Sequence, residues 1–91
     1  MWYVYLLKCS DDTLYCGITN NLEKRIDTHN KGKGAKYTRG RLPVSLLFYK
    51  QVNSKSDALK LEYKIKQMSK EQKLLFFKEE YHVFLTLHHP L

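Results

Sequence analysis

The chain has 91 residues, of which 43% are hydrophobic and 27% charged. This length supports one small domain and excludes a large internal substrate cavity, so any chemistry is expected in a shallow surface cleft. The longest apolar run, residues 1–7, is far below the roughly 20 residues of a membrane-spanning helix. It lacks the basic lead of a secretory signal. We therefore expect a cytoplasmic protein with no membrane partner.

Positive charge is concentrated in the middle of the chain. Sixteen Lys and Arg against nine Asp and Glu give a formal net charge of +7. Residues 21–41 hold seven basic and two acidic residues, and residues 42–73 hold seven and three. A basic middle is typical of a surface that binds a polyanion, because Lys and Arg release counterions from phosphates. The alternative is that the charge only keeps a small domain soluble.

The first elements form a predicted hairpin. Residues 2–7 are aromatic and aliphatic, which predicts a buried strand. Residues 10–13 have turn chemistry, and residues 14–18 predict a second strand. Gly17 would weaken a strand interior, so it indicates a bulge or the close approach of another group to the backbone.

Cys9 and Cys16 are the only cysteines, and both fall at the predicted strands. They form no CxxC motif and no cluster with histidines. We therefore interpret them as structural thiols rather than as a zinc site or a redox pair.

A helix follows the hairpin. Asn20 and Glu23 have the spacing of a capping box, and the helix is expected to end near Gly32. Residues 30–43 hold three of the four glycines and five Lys or Arg, which predicts a mobile basic loop.

The second half predicts a strand and two helices. Residues 44–52 predict the strand, Ser54 or Ser56 caps a helix to about residue 67, and a short helix covers residues 69–77. The resulting order, β-β-α-β-α-α, predicts an α+β fold, or a small α/β layer, with helices packed on a three-stranded sheet. We place the domain at residues 1–79 and a docked or frayed tail at residues 80–91.

Glu62 lies inside the apolar stripe of its helix, beside Leu61 and Ile65. A carboxylate that faces a core is costly unless it is paired or binds a metal. The alternative is an ion pair with Lys66, four residues on, at the edge of the stripe.

Arg25 and His29 are also spaced four residues apart, so one helix turn presents a guanidinium and an imidazole to the same point. Arginine binds phosphate oxygens through two hydrogen bonds, and histidine moves protons near neutral pH. The alternative is an ordinary solvated helix edge.

Tyrosines are abundant, with seven in the chain. Tyr5 and Tyr15 are placed to frame one wall of a cleft, although tyrosines also fill small sheet cores with their hydroxyls at the rim. Tyr37, in the basic loop, has the chemistry to stack on a base, or serves only as a solvent-facing anchor.

The order of these residues resembles the GIY-YIG nuclease domain. Tyr3-Val4-Tyr5 stands where that family has its GIY tripeptide, and Tyr15-Cys16-Gly17 stands where it has YIG. Arg25, His29 and Glu62 follow in order, and the match spans residues 2 to about 75. In size the chain is similar to the small stand-alone bacterial proteins of the UPF0213 type.

The resemblance implies an antiparallel three-stranded sheet flanked by helices and a metal-dependent cut of a DNA phosphodiester. By matching position, Tyr5 and Tyr15 would orient or deprotonate the attacking water. Arg25 would hold the scissile phosphate, His29 would assist proton movement, and Glu62 would bind one Mg²⁺ or Mn²⁺. Tyr3 and Cys16 depart from the family tripeptides at positions that carry no chemistry.

The leading hypothesis is therefore an endonuclease that acts on DNA rather than RNA, at branched or damaged structures such as those met in DNA repair. The alternative is a nucleic-acid-binding module that cuts slowly or not at all. A third hypothesis is a protein-interaction domain that uses apolar residues 81–87, and a transient protein partner stays open beside a monomer in isolation. The candidate nucleic-acid-binding residues are Lys33, Lys36, Tyr37, Arg39, Arg41, Lys60 and Lys64.

Overall fold

The computed structural model describes residues 1–78 as a three-stranded sheet with helices on both faces. The strands are β1 (Trp2–Lys8), β2 (Leu14–Thr19) and β3 (Ser45–Val52), and the helices are α1 (Leu22–Asn30), α2 (Lys36–Arg39) and α3 (Lys55–Lys66). Residues 70–78 are also helical. The predicted α+β fold is confirmed, and the predicted tail at residues 80–91 lies outside the described residues. Within residues 1–78, no helix is long and apolar enough to cross a membrane.

The strand order is β2-β1-β3, and both neighbouring pairs are antiparallel. This confirms the arrangement that the family resemblance implied. The central position of β1 explains its nearly continuous apolar sequence, because side chains on both of its faces are covered. Val4 and Leu6 join one core cluster, whereas Tyr5 and Leu7 join the other.

Each core cluster lies under different helices. On one face, α3 and the helical residues 70–78 contribute Ala58, Ile65 and Phe77 to the cluster around Val4 and Leu6. On the other face, α1 packs Leu22 and Ile26 against the cluster that contains Tyr5. The tyrosine therefore belongs to a second, smaller core beneath α1.

The hairpin turn follows the predicted chemistry. The Cys9 amide donates to the Thr13 carbonyl over 2.8 Å, and Asp12 adopts a positive φ of 66°. Asp tolerates this left-handed conformation better than most residues do. Cys9 and Cys16 are both free and buried, in agreement with their interpretation as structural thiols.

The cap of α1 differs from the prediction. Asn21, not Asn20, is the N-cap, and its side-chain oxygen accepts from the Lys24 amide over 3.1 Å. The strand β2 continues to Thr19, whose hydroxyl oxygen accepts from the Asn21 amide over 3.1 Å. This extension of the strand moves the start of the helix one residue along the chain.

The predicted mobile loop at residues 30–43 is wrong in part. Residues Lys36–Arg39 form the short helix α2, and Thr38 within it is fully buried. The Asn30 side chain both donates to the Val44 carbonyl (3.1 Å) and accepts from the Val44 amide (2.7 Å). These two hydrogen bonds tie the start of the segment to the residue that follows its end, which glycine and lysine counts do not reveal.

The cap assignment predicts different effects for two adjacent asparagines. Asn21→Ala should lower the free energy of unfolding by about 1 kcal/mol, because the Lys24 amide loses its acceptor. Asn20→Ala, the matched control, should leave it within about 0.5 kcal/mol of wild type, as surface substitutions usually do. Urea unfolding measures both values. Equal losses in the two variants would contradict the assignment.

Candidate active site

The Tyr5 side chain is the centre of the candidate site. It is 1% exposed and points from β1 toward α1. In the β1–β2 pair its partner is Gly17, and a Cβ atom at Gly17 would overlap the Tyr5 hydroxyl oxygen. The close approach that the sequence indicated at Gly17 is therefore made by Tyr5. Only glycine leaves the ring enough space.

His29 is the hydrogen-bond partner of the Tyr5 hydroxyl. Its Nε2 atom lies 2.9 Å from the Tyr5 oxygen, and its Nδ1 atom lies 2.8 Å from the Thr38 hydroxyl oxygen. The imidazole is fully buried, and a Cβ atom at Gly34 would overlap its ring. Helices α1 and α2 thus enclose the imidazole and fix its orientation.

The hydrogen-bond partners decide which nitrogen of His29 carries the proton. Arg25 Nε, 3.4 Å from the Tyr5 oxygen, can only donate. Among residues 1–78 the Tyr5 hydroxyl therefore has His29 Nε2 as its acceptor. The Thr38 hydroxyl donates to the Ala35 carbonyl over 2.9 Å, which leaves its oxygen to accept from His29 Nδ1–H. His29 is the Nδ1–H tautomer, with Nε2 basic.

Burial sets the protonation of this pair. It raises the pKa of Tyr5 to about 12, against a smaller lowering by Arg25. It lowers the pKa of His29 to about 4, and the charge of Arg25 acts in the same direction. At neutral pH both groups are therefore uncharged, and the shared proton rests on Tyr5.

Tyr15 lies beside this pair in a column of aromatic and cationic groups. Its ring centroid is 5.5 Å from that of His29 and 6.5 Å from that of Tyr5. Tyr37 stacks on Tyr15 with centroids 5.9 Å apart, and the Arg41 guanidinium lies 4.2 Å from the Tyr37 centroid. The structure places Tyr5 and Tyr15 side by side, as the sequence predicted, and the cleft that they were expected to frame stays a prediction.

Glu62 connects to the site through Lys66. Lys66 Nζ lies 3.5 Å from Glu62 Oε2 and 5.2 Å from the Tyr15 ring centroid. The Glu62 side chain is 19% exposed, so an ion from solvent can reach it. The ion pair, which the sequence left as an alternative, is present.

The donor set of Glu62 suits only some metals. Within residues 1–78, no group of three or more His, Cys, Asp or Glu side chains is placed to share an ion. Zinc sites typically need such a group. Mg²⁺ typically keeps several waters and uses one or two carboxylates, which one glutamate fits.

The candidate nucleic-acid-binding residues divide into three groups. Tyr37 and Arg41 join the column at Tyr15, where Arg41 also pairs with Asp11 over 3.0 Å. Lys60 and Lys64 are exposed on α3, and at about 100° per residue they fall on the side away from the buried stripe. The remaining three, Lys33, Lys36 and Arg39, are exposed around α2.

Three contributors were missed by sequence reasoning. Thr38 orients His29, Gly34 makes room for it, and Lys66 links Glu62 to Tyr15. Thr38 and Gly34 lay in the segment interpreted as a mobile loop, and Lys66 had been considered only as an ion-pair partner. Spacing within one helix could not reveal contacts made between elements.

Comparison with known proteins identifies the family of the chain. The family model described as the GIY-YIG catalytic domain matches residues 1–75. The chain belongs to the GIY-YIG family. The family prediction, made from the two tripeptides in order with Arg25, His29 and Glu62, is confirmed.

Relatives in this family cover most of the chain. The UPF0213 protein of Clostridium perfringens is 57% identical over 74 residues, which are 81% of this chain and 80% of that protein. The UPF0213 protein of Halobacterium salinarum is 49% identical over 77 residues, which are 85% of this chain and 100% of that protein. The solution NMR structure of protein EF2693 from E. faecalis aligns with a TM-score of 0.58 and 33% identity, over 89% of this chain and 85% of that one.

The close approach at Gly17 predicts a selective cost for a methyl group. Gly17→Ala should lower the free energy of unfolding by about 2 kcal/mol, because the buried Tyr5 ring must shift. Gly40→Ala is the matched control, since nothing lies within 4 Å of a Cβ atom at Gly40. It should be neutral or slightly stabilising. Urea unfolding of both variants checks this, and equal costs would contradict the packing.

The lowered pKa of His29 predicts a pH effect on stability. Its folded pKa of about 4 lies below the ordinary value of 6.5. Between these values the unfolded chain binds more protons, so the free energy of unfolding should decrease as the pH falls from 6.5 toward 4. In His29→Gln the free energy of unfolding should depend less on pH over that interval, because the variant lacks the imidazole and keeps every other titrating group. Identical slopes in urea unfolding at each pH would show that His29 does not titrate this way.

Proposed function

We propose that this protein is a divalent-metal-dependent endonuclease that hydrolyses phosphodiester bonds of DNA. The observation that carries the proposal is the convergence of Arg25 and His29 on the buried Tyr5 hydroxyl, at 3.4 and 2.9 Å. Membership of the GIY-YIG family supports the same chemistry. The formal net charge of +7 favours a polyanionic substrate.

Arg25 is assigned to the scissile phosphate. Its Nε atom donates toward Tyr5, and within residues 1–78 its Nη atoms make no hydrogen bond. A guanidinium offers paired donors that match two phosphate oxygens. It would thus hold the phosphate beside the Tyr5 hydroxyl and stabilise the negative charge that develops during attack.

Tyr5 and His29 are assigned to proton movement. Tyr5, with a pKa of about 12, holds its proton at rest, so it acts best as a relay. It takes a proton from the attacking water while it gives its own to His29 Nε2. The net base is then His29, whose Nδ1–H still donates to Thr38 after protonation.

A bound phosphate would make His29 a better base. The charge of Arg25 contributes to the low pKa of His29. A phosphate on Arg25 offsets that charge and raises the pKa of the imidazole. Tyr15, which is half-buried beside His29, is assigned to orienting the water.

Glu62 is assigned to the metal. A divalent cation held there would supply positive charge at the phosphate and lower the pKa of a bound water. Lys66, which pairs with Glu62, would have to share the carboxylate or move from it. Lys66 Nζ already lies 5.2 Å from the Tyr15 ring centroid, so it would keep an aromatic partner after leaving the carboxylate.

A cleavage assay tests the proposal. Labelled single-stranded, duplex and flap DNA are incubated with the protein in Mg²⁺, Mn²⁺ or EDTA. Wild type should cut only with metal, and Glu62→Gln, Arg25→Ala and Tyr5→Phe should each lower the rate by about 100-fold or more. Glu71→Gln, which removes an exposed carboxylate from the helical residues 70–78, is the matched control and should cut at the wild-type rate.

Two outcomes would overturn the proposal. Equal rates in Glu62→Gln and Glu71→Gln would remove Glu62 from the chemistry. DNA that is retarded but never cut, in any metal, would leave the binding module considered from the sequence. In both cases the affinity for DNA should still decrease steeply with salt, because the attraction comes from the basic surface.

A further inference from the structure

The sheet face that carries Tyr5 continues into an exposed aromatic surface on β3. Tyr49 is the β3 residue paired with Tyr5, so the two side chains point to the same face with Cβ atoms about 5 Å apart. Tyr5 is 1% exposed, whereas Tyr49 is 56% exposed and its neighbour on that face, Leu47, is 37% exposed. The helix α1 therefore covers Tyr5 but leaves Tyr49, one strand away, exposed to solvent.

Tyr3 fixes the position of this exposed ring. It lies on the same face, two residues before Tyr5, and its ring centroid is 5.9 Å from that of Tyr49 at an interplanar angle of 74°. Edge-to-face contacts of this kind are a preferred arrangement of aromatic pairs. A tyrosine held in this way offers a flat surface at little cost in side-chain entropy.

We propose that Tyr49, supported by Tyr3, stacks on an unpaired base of single-stranded DNA that lies across the candidate active site. The position of the scissile phosphate in this arrangement rests on the proposed function. Every base has a face on which an aromatic ring can stack, so the contact is tolerant of sequence. Bases inside a duplex already stack on each other, which favours unpaired segments.

Charge favours DNA over a second copy of the chain at this surface. Arg25 lies within hydrogen-bond reach of the Tyr5 oxygen, which sits over Gly17 of β2. The order β2-β1-β3 therefore places the guanidinium about two strand spacings, roughly 10 Å, from the strand that carries Tyr49. A phosphate held by Arg25 and a base stacked on Tyr49 would belong to one strand of DNA. Two copies that each carry a formal charge of +7 repel each other.

We call Tyr49 and the supporting Tyr3 the platform, and a binding experiment in EDTA tests it without cleavage. Fluorescence anisotropy compares a labelled oligothymidine with a blunt duplex of matched length. Tyr49→Ala should weaken binding of the single strand by about fivefold to 100-fold and leave duplex binding within about twofold. Tyr49→Phe, which keeps the ring, should bind both as wild type does. Tyr63→Ala, which removes a 71% exposed tyrosine from α3, is the matched control and should change neither affinity.

Three results would overturn the platform. The first is an equal loss of affinity for the single strand and the duplex in Tyr49→Ala. The second is a Tyr49→Phe variant that binds the single strand as weakly as Tyr49→Ala does. The third is a wild-type dimer in size-exclusion chromatography that Tyr49→Ala converts to a monomer. The last would place a second copy on this surface. Circular dichroism of each variant confirms that the fold is retained.

The platform and the proposed nuclease fail in different ways. A Tyr49-dependent preference for single strands in a protein that cuts no DNA supports the platform and removes the nuclease. Metal-dependent cutting in which Tyr49→Ala slows single-stranded and duplex substrates equally supports the nuclease and removes the platform.

Discussion

The buried Tyr5 hydroxyl is the constraint on which the arrangement around it depends. A phenol oxygen taken out of water must keep its hydrogen bonds, because an unpaired buried polar group is costly. Tyr5 finds its acceptor in His29, 24 residues away, and His29 finds its own in Thr38. One polar chain therefore joins β1, α1 and α2. Among the described residues no buried side-chain nitrogen or oxygen lacks a partner.

This chain explains which parts of the molecule could be predicted from the sequence. Strands and long helices follow from local periodicity and caps, so the Ser54 cap of α3 and the reciprocal Ser69–Gln72 hydrogen bonds were predictable. The α1 cap was assigned one residue early, because two adjacent asparagines compete and the end of β2 decides between them. α2 was missed, since its support comes from His29 and not from its own four residues.

The residues of the candidate site could be predicted from the sequence, but their protonation could not. Tyr5, Arg25, His29 and Glu62 were selected by their order along the chain, which resembles a known family. Spacing alone left each of them open to an ordinary structural interpretation. Their protonation could not be predicted, because the pKa values of Tyr5 and His29 move apart through burial, which only the fold defines. The neutral pair at rest is a consequence of the second core.

The candidate site draws on both faces of the sheet, and Lys66 connects them. Glu62 and Lys66 lie on α3, which packs on the face opposite Tyr5, yet Lys66 reaches the Tyr15 ring. From there the column continues through Tyr37 to Arg41, which pairs with Asp11 in the hairpin turn. A carboxylate thus lies at each end of a cation–aromatic–aromatic–cation stack. Lys66 thus links Glu62 to the Tyr15 ring, while the packing of α3 on the core positions Glu62 and leaves its side chain 19% exposed.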